Sequence, residues 1–216
     1  MKSDPCFDGQ QQDTVVSSLG NIRTLHTEAP RVSPSVPLVK LTVNGLLHEV
    51  QVEPNWTLWE ILRDKLGFTS PKDMCGGYGA CSSCTVIMNG RPILSCMTLA
   101  IDCDGATIET AEGIADAQHP LIDAYVNNWA LQCGYCTPGF ITTAKALLDR
   151  NPKPTADDIR DALGGNICKC SSYPAHIPAI LEAAKELEAK PEQDSVQPIV
   201  TVKPHPSPRN KIINWG

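Results

Sequence analysis

Eight of the ten cysteines in this 216-residue chain fall into two groups of four, and no other feature constrains the fold as tightly. Cys75, Cys81 and Cys84 share one glycine-rich loop, "CGGYGACSSC", with Cys96 after the apolar stretch that follows. In the second group "CGYC" carries Cys133 and Cys136, and "CKC" carries Cys168 and Cys170. Cys6 and Cys103 stand apart and read as spare thiols.

The start of the chain, "MKSDPCFDGQQQDTVVSSLG", lacks the apolar core of a secretory signal, and no apolar run is long enough to span a bilayer. The expected location is therefore cytoplasmic, where persistent disulfides are rare and so many thiols need another purpose. Four thiolates satisfy a 2Fe-2S cluster, in which each iron takes two protein ligands. Glycines suit a loop around such a cluster, because backbone must approach the sulfides closely and donate N–H groups to them. A four-cysteine zinc site is the rival, although a CxC pair fits the usual zinc spacing poorly. The plain alternative is cysteine as a small buried apolar residue. No histidine lies within two residues of these cysteines, which argues against a Rieske centre.

The net charge of −6 and pI near 5.3 offer no basic footprint, so nucleic acid is not an expected partner. Between a polar N-terminal extension (1–37) and a Pro-rich tail (191–216), "LVKLTVNGLLHEVQV" and "CTVIMNGRPILSC" read as β-hairpins around Asn44-Gly45 and Asn89-Gly90. "NWTLWEILRDKLG" reads as a helix opened by a Thr57/Glu60 capping box and stopped by Gly67. "ATIET" adds a short strand. Beyond Gly113, "HPLIDAYVNNWA", "PGFITTAKALLDRN", "TADDIRDALGG" and "PAHIPAILEAAKELEAK" read as four helices, the third capped by Thr155. The expected class is α+β, a small sheet domain (38–113) followed by an all-α domain (114–190).

"CGGYGACSSCTV" with Cys96, then "LQCGYCTPGF" and "GGNICKC", resembles the iron-sulfur subunit of the molybdenum hydroxylase family, which includes xanthine dehydrogenase, aldehyde oxidoreductase and carbon monoxide dehydrogenase. The resemblance covers about residues 38–188. It implies a β-grasp ferredoxin-like domain followed by a four-helix-bundle domain, each with a 2Fe-2S cluster. By position, Cys133, Cys136, Cys168 and Cys170 would hold the inner cluster, next to a molybdopterin on a partner chain, and Cys75, Cys81, Cys84 and Cys96 the outer one. Gln132 matches a glutamine that contacts the pterin. The chain departs from the family in several places. Its first loop spacing is C-x5-C-x2-C, one residue longer than the plant-type pattern. Ser82-Ser83 stand where the family has "CGxC", and "CKCSSY" replaces "CRCTGY", so Ser171-Ser172 stand for Thr-Gly.

The implied role is electron transfer from a molybdenum site on a large subunit, through two 2Fe-2S clusters, to a flavin subunit or another acceptor. No catalytic residue is expected on this chain, which would work in a hetero-oligomer. A free-standing electron carrier and a zinc-bound interaction module remain the alternatives. His48, His119, His176 and His205 read as surface or cap residues. Trp129 and Tyr135 read either as shields for the inner cysteines or as helical core. The Pro-rich ends read as wraps for partner chains or as solvated tails.

Overall fold

A computed structural model describes residues 37–189. The expected N-terminal extension and C-terminal tail, with Cys6 and His205, lie outside the described residues. Val39, Leu41 and Val43 alternate with more exposed neighbours, so β1 (Leu38–Val43) turns one apolar face inward. Asn44 and Gly45 take φ of 48° and 82°, the left-handed pair that a type I′ turn requires, and β2 (Leu46–Gln51) returns antiparallel. The second hairpin repeats the device: β3 (Thr85–Met88) and β4 (Arg91–Leu94) flank Asn89 and Gly90, with φ of 50° and 77°. β5 (Thr107–Glu109) joins the hairpins, parallel to β1 and antiparallel to β3. The strand order is β2-β1-β5-β3-β4, and the class is α+β with a mixed sheet.

α1 (Leu58–Glu60) opens on the expected capping box: Glu60 N–H donates to Thr57 Oγ1, and Thr57 N–H donates to the Glu60 carboxylate at 2.7 Å. Beyond that first turn the expected α-helix gives way to a π-helical turn, Ile61–Lys65, in which Leu66 N–H reaches back to Ile61 O. Leu58, Ile61 and Leu62 are all fully buried against Val39, Leu41, Val86 and Ile108, which form the core under the sheet.

The second half holds α2 (Ala111–Asp116), α3 (Leu121–Asn127), α4 (Thr137–Arg150), α5 (Ala156–Leu163) and α6 (Tyr173–Ala189). Four of these match the expected helices. α2 has no counterpart among them, because it spans Gly113, where the expected sheet domain ends. A Cβ there would lie 2.3 Å from Asn44 Oδ1, so the glycine serves close packing. The Asn44 side chain accepts from Thr110 N–H and donates to Thr110 Oγ1, both at 2.9 Å, clasping the first hairpin turn to the start of α2. Thr155 caps α5 with Asp158 as its reciprocal partner.

A second apolar cluster gathers Tyr125, Phe140, Ile159 and Ile180 from α3, α4, α5 and α6. α4 also packs on β3, and for that reason Thr85, Val86 and Ile87 are buried in succession instead of alternately. Lys145 of α4 bridges Glu109 of β5 at 3.3 Å and Asp149 at 2.8 Å. The helix that begins at the second cysteine group is thus braced on the sheet that carries the first.

Candidate metal centres

The first cysteine loop is folded by its own backbone. Asp73 Oδ1 accepts from Gly76 and Gly77 N–H, and Lys72 N–H donates to Ser83 O. A side chain at Gly79 would be strained: its φ is 68°, and a Cβ would stand 2.8 Å from Met97 Cγ. Cys96 sits in a single 3-10 turn, Ser95–Met97, fixed to the loop by the Ser95 hydroxyl donating to Cys84 O at 2.7 Å.

Cys81 and Cys84 are buried, Cys75 and Cys96 partly so, and all four are free thiols. Their sulfurs are near enough to influence one another, Cys75 with Cys81 and Cys96 with Cys84 and Cys75. Burial works to raise Cys75, but the N–H groups of Ala80, Tyr78 and Cys81 and the Cys81 thiol together hold it below its ordinary value. Cys96 behaves oppositely: burial, then Cys84, pushes it up to about 12.

The second group is placed by helices. Cys136 is the N-cap residue of α4, so its loop meets the positive end of a fourteen-residue helix, which favours anionic sulfur. Cys168 and Cys170 follow α5, in a turn where Ser171 takes a φ of 64°. Cys136 and Cys168 are buried and interact, Cys133 is exposed beside Cys136, and Cys170 packs at the margin of the helical core. Burial, then Cys168, pushes Cys136 up to about 12. Burial opposes ionisation of Cys168 as well. Ser172 through both its hydroxyl and its N–H, with Cys136 and the Cys170 N–H, outweighs burial and brings Cys168 down to about 7.

The two groups meet. Ile167 N–H donates to Cys81 O at 3.1 Å, the Ser82 hydroxyl donates to Gly165 O at 2.9 Å, and Tyr135 Oη donates to Asp73 O at 2.6 Å. Tyr135 therefore joins the loops and is not part of the helical core, and Trp129 is 83% exposed, which removes the core reading for both. Gln132 is exposed, next to Cys133.

The donor set fits 2Fe-2S chemistry: each loop region brings four free cysteines, and each iron of such a cluster takes two thiolates. Each loop also holds a buried hydroxyl with no protein partner, Ser83 Oγ between Cys81 and Cys84 and Thr137 Oγ1 after Cys136. A sulfur-rich group in the loop would give each a partner.

His176 corrects the sequence reading. It is 1% exposed, stacked on Phe140 with ring centroids 4.0 Å apart, and pushed down to about 4 by burial. Its Nε2 lies 3.2 Å from Ser172 Oγ, which lies 3.2 Å from Cys168 Sγ. The spacing of four from Cys168 to Ser172 to His176 is visible in the sequence, but the contacts depend on the turn before α6 as well as on its first turn. His119 does act at a helix start, its Nδ1 accepting from Leu121 N–H.

Residues 110–181 match the 2Fe-2S binding domain family. The nicotinate dehydrogenase small FeS subunit of Eubacterium barkeri is 46% identical over 137 residues, which cover 62% of this chain and 87% of that one. The structure of quinoline 2-oxidoreductase from Pseudomonas putida 86 superposes with a TM-score of 0.68 at 38% identity, covering 71% of this chain and 96% of the matched chain. The aldehyde oxidoreductase of Desulfovibrio desulfuricans gives the same TM-score at 40% identity, with 71% of this chain matching 17% of a much longer one.

Proposed function

Because the chain belongs to the iron-sulfur subunits of the molybdenum hydroxylase family, we propose that it carries electrons out of a molybdopterin centre on a large partner subunit, through two 2Fe-2S clusters, to a flavin subunit or another acceptor. Cys75, Cys81, Cys84 and Cys96 hold the outer cluster, and Cys133, Cys136, Cys168 and Cys170 the inner one. Gln132 contacts the pterin. The sheet half (38–113) is a β-grasp ferredoxin-like domain and the helical half (114–190) a four-helix-bundle domain. The observation that supports the assignment is that all eight cysteines are free and lie in two loops tied together by Ile167 N–H to Cys81 O and the Ser82 hydroxyl to Gly165 O.

When bound, each cluster supplies a one-electron redox centre. The chain's residues do the rest. N–H groups of Tyr78, Ala80 and Cys81 stabilise negative charge on Cys75, while the N-terminus of α4 favours it at the second loop. Burial of Cys81, Cys84, Cys136 and Cys168 limits water at sulfur. Trp129, 83% exposed, and Leu131, 37% exposed, precede Gln132 and Cys133, and these exposed apolar side chains are suited to being covered by the large subunit. Among the described residues no helix is long and apolar enough to cross a membrane. The complex is expected in the cytoplasm.

The test is EPR of the anaerobically purified, dithionite-reduced complex. Two distinct spin-half signals are expected, and Cys170→Ala should remove one and leave the other. Zinc in a colourless protein would overturn the assignment.

A further inference from the structure

We propose that Ser172 and His176 form a hydrogen-bond relay to Cys168 that sets the reduction potential of the inner cluster. The inference rests on the assignment of Cys168 as a ligand of that cluster, and it concerns two residues that no ligand set includes.

The direction of the relay follows from proton counting. A ligating cysteine is a thiolate and has no proton to give, so across the 3.2 Å contact the Ser172 hydroxyl is the donor. A serine has one hydroxyl proton. With that proton directed at sulfur, the 3.2 Å contact between Ser172 Oγ and His176 Nε2 needs its proton from the imidazole. His176 is therefore the Nε2–H tautomer, and its Nδ1 carries no proton.

An independent feature agrees. His176 Nδ1 is buried and has no hydrogen-bond partner. The opposite tautomer would place an unpaired N–H donor there and would also leave the Ser172 proton contested between sulfur and Nε2. Orphaned buried donors are rarer than orphaned acceptors. Phe140 holds the ring in place by stacking at 12° and 4.0 Å, so the relay is positioned by packing on one side and by α6 on the other.

A hydroxyl that is itself polarised by an N–H donor makes a stronger bond to sulfur than an isolated one. The bond strengthens when an electron is added and the sulfur becomes more negative, so it favours the reduced state and raises the potential. No proton moves and no bond breaks. Around the imidazole itself stand the rings of Tyr125, Phe140 and Tyr173. The replacement of the family's glycine by Ser172 makes this device a property of the present chain.

The test is an EPR-monitored redox titration of the intact complex, comparing wild type with Ser172→Ala, Ser172→Thr and His176→Leu. In Ser172→Ala the inner cluster should become harder to reduce by about tenfold in its equilibrium, about 59 mV for one electron, with the outer cluster unmoved. Ser172→Thr keeps the hydroxyl and should retain the wild-type value. His176→Leu should shift the same cluster in the same direction by less. If Ser172→Ala does not load its cluster, His176→Leu decides alone. An inner potential unchanged in the loaded variants would overturn the relay while leaving the two-cluster assignment standing. A wild-type complex with a single 2Fe-2S signal, the outer one, would overturn both.

Discussion

Gly139 gives the sharpest test of how the helical half is held against the first cysteine loop. It lies in the first turn of α4, and a Cβ built on it would stand 2.4 Å from Ser82 O and 3.1 Å from Ser83 Cα. The first figure is roughly 1 Å short of the ~3.3 Å at which carbon and carbonyl oxygen ordinarily meet. Both obstacles are backbone atoms between Cys81 and Cys84, so no side chain can swing away. Overpacking of this kind costs about 1–3 kcal/mol, and the better helix propensity of alanine returns up to ~1 kcal/mol. Gly139→Ala should therefore lose about 1–2 kcal/mol. For a chain of this length that is a fall of about 2–8 °C in Tm. Thermal unfolding of the loaded protein measures the loss, and EPR of the outer cluster should report a displaced Cys81–Cys84 segment. Gly165→Ala is the milder comparison, since its Cβ would meet only the Ser82 Oγ, at 3.1 Å, and a shift of that side chain would cost no more than its bond to Gly165 O. A Gly139→Ala protein as stable as wild type with an unaltered outer signal would refute the reasoning.

Three further outcomes are expected. Asn44→Gly keeps the turn's left-handed backbone but removes both bonds to Thr110, costing about 1–3 kcal/mol, and Gly113→Ala should be tolerated better in that background than alone, as a double-mutant cycle in urea would measure. Lys145→Met leaves the partly buried Glu109 without its cation and should cost about 1–2 kcal/mol in the same assay, with Glu109→Gln recovering most of it. Burial works to raise Glu112, but the Ser70 hydroxyl and N–H and the Thr110 hydroxyl outweigh it and hold the carboxyl below its ordinary value. A depressed carboxyl stabilises the fold above its unfolded pKa of 4.5, and that contribution is lost as pH falls below 4.5 through the folded value. The stability gap between wild type and Glu112→Gln should accordingly close on acidification.

The parts of this fold that are local in sequence are legible there. Asn44-Gly45 and Asn89-Gly90 dictate their hairpins because left-handed backbone at two successive residues admits few alternatives. Thr57 with Glu60 marks a helix start for the same kind of reason, since both groups of the capping box lie within four residues. Gly113 misleads because the atoms that demand it belong to Asn44, far away in the chain. β3 misleads in another way, its unbroken burial being produced by α4 from the other half. The cysteine groups are legible as sets, but the pairing of thiols within each set depends on the loop's path and is not. Ser172 and His176 look unremarkable until the turn into α6 brings them to Cys168.

The contacts between the two cysteine loops bear on how electrons cross the chain. Cys81 O accepts from Ile167 N–H, and Ile167 is followed directly by Cys168, so a single hydrogen bond separates the main chains of one proposed ligand from each set. Ser82 Oγ–H to Gly165 O and Tyr135 Oη–H to Asp73 O brace the same junction from either side, and the close approach of Gly139 to Ser82 leaves no room for another chain to enter. The two proposed clusters, held by loops joined in this way, would keep one separation within the chain. Transfer between them then needs no docking event and little movement of protein. The surfaces open to partners in the proposed complex are the exposed margins, Gln132 and Cys133 on one side and Tyr78, 83% exposed in the first loop, on the other. An independent shuttle needs one exposed edge that both receives and delivers electrons. This chain has two margins joined by a braced junction, which is the arrangement of a subunit fixed between a donor and an acceptor.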